Sequence, residues 1–395
     1  MDPVRNPYAP GAGQRPPELA GRDAELSAFD VVLERIARGR PERSLVLTGL
    51  RGVGKTVLLN QLRSAAISRG WGTGKIEARP DQSLRRPLSA ALHMALRELR
   101  HPDQESTDAV LGVLKAFVQR QPADARVRDR WQPGIDVPAT TGRADSGDME
   151  IDLVELLSDV AGIAADVGKG VALFIDEMQD VQADDVSAIC AACHELSQQG
   201  APLIVVGAGL PHLPAVLSAS KSYSERLFRY LRIDRLDRAA ADRALLAPAE
   251  REDVEFDPAA LDALYEAADG YPYFVQAYGK VTWDVAASSP ITAADVAMAA
   301  PAAEAELAVG FFGSRYDRAT PAEREYMHAM AELGGPAGAA VGTSDVAVSL
   351  GRRPASLSPA RDSLIKKGLV YSAERGQIAF TVPHFGRYLL SHPAD

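Results

Sequence analysis

Leu45-Val-Leu-Thr48 runs directly into Gly49-Leu50-Arg51-Gly52-Val53-Gly54-Lys55-Thr56, and helical spacing continues from Lys55 to about Ser68. A short apolar strand, a glycine-rich turn and a helix in that order fit G-x-x-x-x-G-K-[ST] in the context its chemistry requires. Glycines let the backbone wrap so that its N–H groups face phosphate oxygens. The helix N-terminus adds roughly half a positive charge. Lys55 is placed to reach the β- and γ-phosphates, and the Thr56 hydroxyl to hold Mg²⁺. The expected phosphate-binding residues are Gly49, Leu50, Arg51, Gly52, Val53, Gly54, Lys55, Thr56 and Val57.

Working outward, Val171-Ala-Leu-Phe-Ile175 is a continuous apolar run, the mark of a strand buried on both faces. Asp176 and Glu177 follow it at once. Acidic residues at the carboxyl end of a parallel strand face the crevice where ligands bind. Asp176 is therefore expected to hold Mg²⁺, and Glu177 to orient and activate a water. Solvated loop carboxylates are the plainer alternative. Gly74–Ala78 and Pro202–Val206 supply further strands, with helices expected near 23–36, 87–100, 108–120 and 151–167. Strands alternating with helices imply an α/β parallel sheet. The polar segment 121–148 reads as an inserted loop.

From Arg235 to about Leu307 no strand is expected. Helices near 238–247, 258–268, 272–286 and 293–307 suggest a small all-helical unit. Three more helices then precede short strands at Leu369–Ser372 and Gln377–Thr381, the winged-helix order. The division expected is an extended lead-in at 1–20, a P-loop ATPase core at 21–235, a helical lid at 236–312 and a winged helix at 313–395.

The motif pair resembles the AAA+ and STAND branches of the P-loop ATPases. Asn6-Pro-Tyr-Ala-Pro-Gly-Ala-Gly13 and Pro17-Glu-Leu-Ala-Gly-Arg-Asp23 look like the segment that wraps the nucleotide base in such proteins. The whole is similar to archaeal replication-initiator-like ATPases, which join this core to a helical lid and a winged helix. The resemblance implies ATP and Mg²⁺ as ligands and ATP hydrolysis as the activity, with Lys55 and Glu177 catalytic. It also implies an arginine finger. Ser224-Glu-Arg226-Leu-Phe228 resembles the stretch that carries one in oligomeric rings, so Arg226 is the first choice and Arg229 the second. An ordinary surface ion pair explains that arginine as readily. Gly270-Tyr-Pro272-Tyr-Phe274 resembles the G-x-P element of STAND proteins, which places Pro272 against the nucleotide. A helix start with proline in its first turn explains it equally. One departure stands out: Val206-Gly-Ala-Gly-Leu-Pro211 has no polar side chain where many AAA+ proteins sense the γ-phosphate, and His212 reads as a surface residue.

The 395 residues carry a formal net charge of −10, which excludes a protein basic all over, such as a generic nucleic-acid coat. From Gly313 to Asp395, however, ten Lys/Arg face eight Asp/Glu. Arg352, Arg353, Arg361, Lys366 and Lys367 gather around the third helix of that module, and Arg375 sits in the expected wing. Basic residues suit phosphates, and Ser356 and Ser358 suit base edges. Duplex DNA is the expected partner; a solvated face or a protein-binding winged helix is the alternative. Homo-oligomers are a further expectation.

Cys190-Ala-Ala-Cys193-His194 matches the C-x-x-C-H pattern of haem attachment. Val186, Ile189, Cys190, Cys193 and Leu196 recur at helical spacing, so both cysteines are read as core residues and no haem is expected. Two cysteines build no disulfide framework, and no apolar run of ~18 residues is evident, so the expectation is a cytoplasmic protein without a membrane span. Two functions remain: an ATP-dependent DNA-binding ATPase, or a nucleotide-gated signalling switch whose winged helix binds a protein.

Overall fold

The computed structural model describes every residue except 12, 81, 120–134, 337, 383 and 393–395. After a single turn of 3-10 helix, the chain forms α1 (Asp23–Ala37), β1 (Ser44–Thr48), α2 (Lys55–Ser68), β2 (Gly72–Glu77), α3 (Arg85–Leu99) and α4 (Gln104–Gln119). Then come α5 (Met149–Asp166), β3 (Val171–Asp176), α6 (Ala183–Gln199), β4 (Leu203–Gly209), α7 (Leu213–Ser220), α8 (Ser224–Leu227) and β5 (Phe228–Arg232).

The five strands are parallel in the order β2-β3-β4-β1-β5. Alternation along each strand feeds two cores. Leu45, Leu47, Ala172, Phe174, Ile204 and Val206 pack with α1 and α2 on one face. Val46, Leu173, Ile175 and Val205 pack with α3, α4, α5 and α6 on the other. Each such side chain contributes about 1.5–3 kcal/mol when fully buried, which pins the register because a one-residue slip would exchange the faces. Sheet order reverses around β1 and β4, so the crevice at their carboxyl ends is where a ligand fits.

Of the strands in this sheet, β5 is the one not expected from the sequence. It is an edge strand, paired only with β1, and only Phe228 in it is buried; Arg229 and Arg232 point to solvent. Alternating charges without an apolar run hide such an edge. Of the segment expected as an inserted loop, 121–134 lies outside the described residues. Its remainder is tied down: Asp152, fully buried, accepts from Arg85 at 3.0 Å and from the Ser146 hydroxyl at 2.6 Å.

The helices α9 (Arg238–Glu250), α10 (Pro258–Ala268), α11 (Pro272–Val285) and α12 (Ala293–Leu307) form the all-helical lid. A π-helical turn, Ala308–Gly313, and the short α13 (Ser314–Tyr316) continue α12 without a break. This run, Ala293–Tyr316, is long and apolar enough by composition to cross a membrane, with mean hydropathy 1.3 and 33% of its best window buried. That corrects the expectation that no such run exists. The apolarity is largely that of alanine; Val296, Ala299, Ala303 and Leu307 are buried, and α12 packs against α10 and α11.

The C-terminal module has α14 (Pro321–Gly334), β6 (Val341–Gly342), α15 (Thr343–Ser349), α16 (Pro354–Lys366), β7 (Val370–Ser372), β8 (Gln377–Phe380) and α17 (Phe385–Ser391). The antiparallel sheet β6-β8-β7 packs against α14, α15 and α16, with β7 and β8 following the three helices in the order expected from the sequence. α17, unexpected from the sequence, packs along α14.

Candidate functional site

Gly54 caps α2 with φ 90°, a conformation that glycine adopts without the Cβ clash, and this lets the turn after β1 close over the helix end. Lys55 is 8% exposed, and its Nζ donates to the carbonyls of Gly49 at 2.9 Å and Leu50 at 2.8 Å. Burial pulls its ammonium down to about 8, while Glu177 and Asp176 oppose the shift. Asp176, at the end of β3, is 4% exposed and hydrogen-bonds the Thr56 side chain; burial holds its carboxyl above the usual range. The pair expected to hold a cation is therefore brought together. One hydroxyl and one carboxylate suit Mg²⁺, which keeps waters and substrate oxygens as its other ligands.

Glu177 follows in the left-handed conformation, φ 49°. Both of its oxygens are engaged. Oε1 accepts from Arg51 Nη1 at 3.3 Å, and Oε2 accepts from Gln179 Nε2 at 2.6 Å. Gln179 in turn accepts the Leu210 N–H at 3.1 Å, so it spans from Glu177 to the end of β4.

Lys55, Thr56 and Glu177 open on a cavity of about 660 Å³, within the range that takes a nucleotide-sized ligand. Gly52, Gly54, Lys55, Thr56 and Val57 line its floor, and Glu177 and Arg51 one side. The lead-in residues Ala9, Pro10, Gly11, Gly13, Gln14 and Pro16 and the lid residues Pro272, Tyr273 and Gln276 close over it. The lead-in is held by the lid: the Tyr8 hydroxyl donates to Leu245 O at 2.7 Å, and the Ala9 N–H to Gln276 Oε1 at 3.3 Å. Arg22 fastens the other end. Buried, with no carboxylate partner among the described residues, it donates to Val53 O at 3.2 Å and Asp234 O at 2.6 Å, clamping the glycine turn to the chain after β5.

Not every expected residue faces the cavity. Gly49 donates its N–H to Gly209 O, Leu50 offers its carbonyl to Lys55, and Val53 is buried at 1% exposure; all three lie behind the turn. The Arg51 N–H also points away from the cavity, donating to Thr381 O of the C-terminal module at 3.0 Å. Arg226 lies at the opposite end of the sheet. Its neighbour Phe228 pairs with Ser44, the first residue of β1, whereas the glycine turn follows Thr48, about 13 Å further along the strand. It is exposed and makes no ion pair among the described residues. Arg229 lies on β5. His212, expected at the surface, is half-buried, and its Nδ1 meets no partner.

Two arginines that the sequence did not single out reach the cavity, Arg315 and Arg318, together with the ring of Phe311. They come from the turn after α12, more than 250 residues beyond the glycine turn, so only the docking of this linker reveals them. Nothing in their local pattern marks them.

The basic candidates of the C-terminal module divide. Arg353, Lys366 and Arg375 are exposed and make no ion pair among the described residues. Arg352 pairs with Glu325 at 3.0 Å and Arg361 with Asp362 at 2.9 Å. Lys367 turns inward, to the buried Glu323 at 2.6 Å and to Arg318 O at 2.9 Å. The Ser356 and Ser358 hydroxyls donate back to the carbonyls of Arg353 and Pro354 within α16. Cys190 is fully buried and Cys193 lies beside Ser44 Oγ at 3.6 Å, both packed between α6 and the sheet.

Residues 18–206 match the family model of the AAA ATPase domain, and residues 309–389 match a domain of unknown function, DUF8462. No curated protein matches the chain. Among solved structures, the Walker-type ATPase PABY2304 of Pyrococcus abyssi is similar at 14% identity and TM-score 0.59, over 95% of this chain and 97% of that one. The Aeropyrum pernix ORC1 protein, solved in complex with DNA, is 17% identical with TM-score 0.46, over 98% and 96%. The Holliday-junction branch-migration motor RuvB of Thermotoga maritima is 18% identical with TM-score 0.46, over 95% and 97%. The core is thus a P-loop ATPase of the AAA+ type.

Proposed function

We propose that this chain binds ATP with Mg²⁺, hydrolyses it, and uses nucleotide state to set how its C-terminal winged helix engages duplex DNA. One observation carries the reading: the winged helix touches the phosphate turn itself, through the 3.0 Å hydrogen bond from the Arg51 N–H to Thr381 O. A change at the nucleotide is thereby felt in the module without any relay.

In this reading Thr56 and Asp176 hold Mg²⁺, which supplies charge neutralisation on the phosphate oxygens. Lys55 exchanges the carbonyls of Gly49 and Leu50 for the β- and γ-phosphates. Glu177 accepts the proton of the attacking water once Arg51 or Gln179 releases one of its oxygens. Arg226, remote from its own cavity, acts as a finger on a neighbouring subunit of an oligomer, a role that suits a guanidinium's fork. Pro272 and the lead-in pack on the base. On the duplex, Arg353, Lys366 and Arg375 contact phosphates, with Arg352, Arg361 and Ser356 beside them. Cytoplasmic placement fits this chemistry.

Lys367, Arg352 and Arg361 are engaged within the module, and this favours a second reading, a switch of the STAND kind whose winged helix takes a protein partner. ATP turnover with and without duplex DNA separates the two. Stimulation by duplex is expected, and Glu177→Gln should lower turnover at least about 100-fold while ATP binding is retained. Turnover indifferent to duplex at low salt would reject the DNA reading, and full activity of the glutamine variant would reject the assignment of Glu177.

A further inference from the structure

A second cavity, of about 450 Å³, lies between the lid and the C-terminal module. That volume falls within the roughly 300–1,000 Å³ of sites that hold small molecules. Four aromatic rings wall it: Phe274 and Tyr278 from α11, Phe312 from the π-helical turn and Tyr388 from α17. Phe312 stacks on Tyr388 at 5.3 Å and Tyr388 on His392 at 4.4 Å, while Phe274 meets Phe312 edge-on at 6.1 Å. The π turn parts two consecutive rings: Phe311 lines the cavity at the glycine turn, and Phe312 lines this one.

Tyr278 is 4% exposed, and its hydroxyl makes no hydrogen bond among the described residues. Burial lifts that phenol, Glu304 raises it further and Arg387 opposes, so the hydroxyl lies in the field of both charges. A phenol in such a place takes its partner from whatever fills the cavity. The fixed charges on the wall are Glu304 of α12 and Arg387 of α17, and they satisfy each other at 2.9 Å. Burial lowers the His384 imidazole, which keeps it neutral at physiological pH. A ligand with net charge must therefore break that ion pair or lie unpaired among the rings, and both are costly. An uncharged ring leaves the pair intact and meets the faces and edges already on display. Val309, on the same wall, is 79% exposed, so apolar surface there is left for a ligand to cover.

We propose that this cavity is a binding site for an uncharged planar aromatic molecule, which hydrogen-bonds the Tyr278 hydroxyl and bridges the lid to α17. It shares no lining residue with the nucleotide cavity among the described residues, so it stands whether or not a nucleotide binds there. Phe274, 5.5 Å from Phe311 and 6.1 Å from Phe312, is the side chain between the two.

Isothermal titration of the full chain with indole-3-acetamide, indole-3-acetate and tryptamine tests it, because one ring then carries no charge, a negative charge or a positive one. The acetamide should bind at least about tenfold more tightly than either charged relative. Tyr278→Phe, which keeps the ring and loses the hydroxyl, should weaken it about fivefold. Ala308→Trp, which fills the cavity, should abolish binding. Ala308 lines this cavity and not the nucleotide one, so native affinity in Ala308→Trp would place the compound elsewhere and overturn the proposal. Equal affinity for the three compounds, or no binding of the acetamide at millimolar concentration, would overturn it too. If Ala308→Trp melts early, Tyr278→Phe decides: native affinity for the acetamide in that variant overturns the proposal.

Discussion

Cys190 and Cys193 show how a residue's neighbours overrule its motif. C-x-x-C-H taken alone points to a haem thioether, yet the same five letters lie on a helix whose apolar face packs on the sheet. Burial pushes the Cys193 thiol up to about 11 and Cys190 to about 12. Only the thiolate attacks an alkylating reagent, so at pH 8 the reactive fraction is smaller by a factor of at least ~100 than for a free cysteine of pKa ~8.5. Mass-spectrometric labelling with iodoacetamide at pH 8 should therefore be at least ~100-fold slower in the native protein than in urea. Labelling at the free-cysteine rate would mean that this helix leaves the sheet. The helical spacing made this outcome legible beforehand. Arg315 is the opposite case: nothing around it in sequence marks a cavity residue, because it reaches the cavity only once Phe311 and Tyr273 meet over Gly52 in the folded lid.

Among the elements, β1, α2 and β3 were readable because both faces of their strands are buried, and an unbroken apolar run records that fact. β5 was not, because an edge strand of alternating exposure carries no such run. α16 was placed correctly as a helix, but its charges have two different jobs that spacing alone does not separate. Lys367 faces Glu323, which is 3% exposed and also caps α14 through the Thr320 N–H at 2.7 Å. Removing the ammonium strands a buried carboxylate, although a side chain about one-third exposed limits the loss. Lys367→Ala should cost about 1–2 kcal/mol in denaturant unfolding. Arg353, exposed at the N-cap of the same helix, has nothing to lose in the fold. Arg353→Ala should leave stability within about 0.5 kcal/mol and reduce the slope of log affinity for duplex against log salt by about 0.9. A destabilised Arg353 variant, or an unaffected salt slope, would remove that residue from the proposed DNA face.

For the molecule as a whole, the decisive contact joins residues more than 300 positions apart. Thr381 O takes the Arg51 N–H, and Gly368 packs against the Arg51 guanidinium so closely that a Cβ there would lie 2.6 Å from Nη2. Gly368 also holds φ +64°, which a side chain strains. Both effects act at one point, where the module's helix α16 ends and its sheet begins. The same arginine restrains Glu177 at 3.3 Å. Gly368→Ala therefore displaces either Arg51 or the whole module, and in both cases loosens the hold on the carboxylate proposed to accept a proton. The expected outcome is a several-fold rise in basal ATP turnover. It should be accompanied by faster tryptic cleavage after Arg315 or Arg318 in the linker as the module swings free. Turnover and cleavage both at native levels would show that the module rests on the phosphate turn without governing it, and the coupling would have to run through the lid instead.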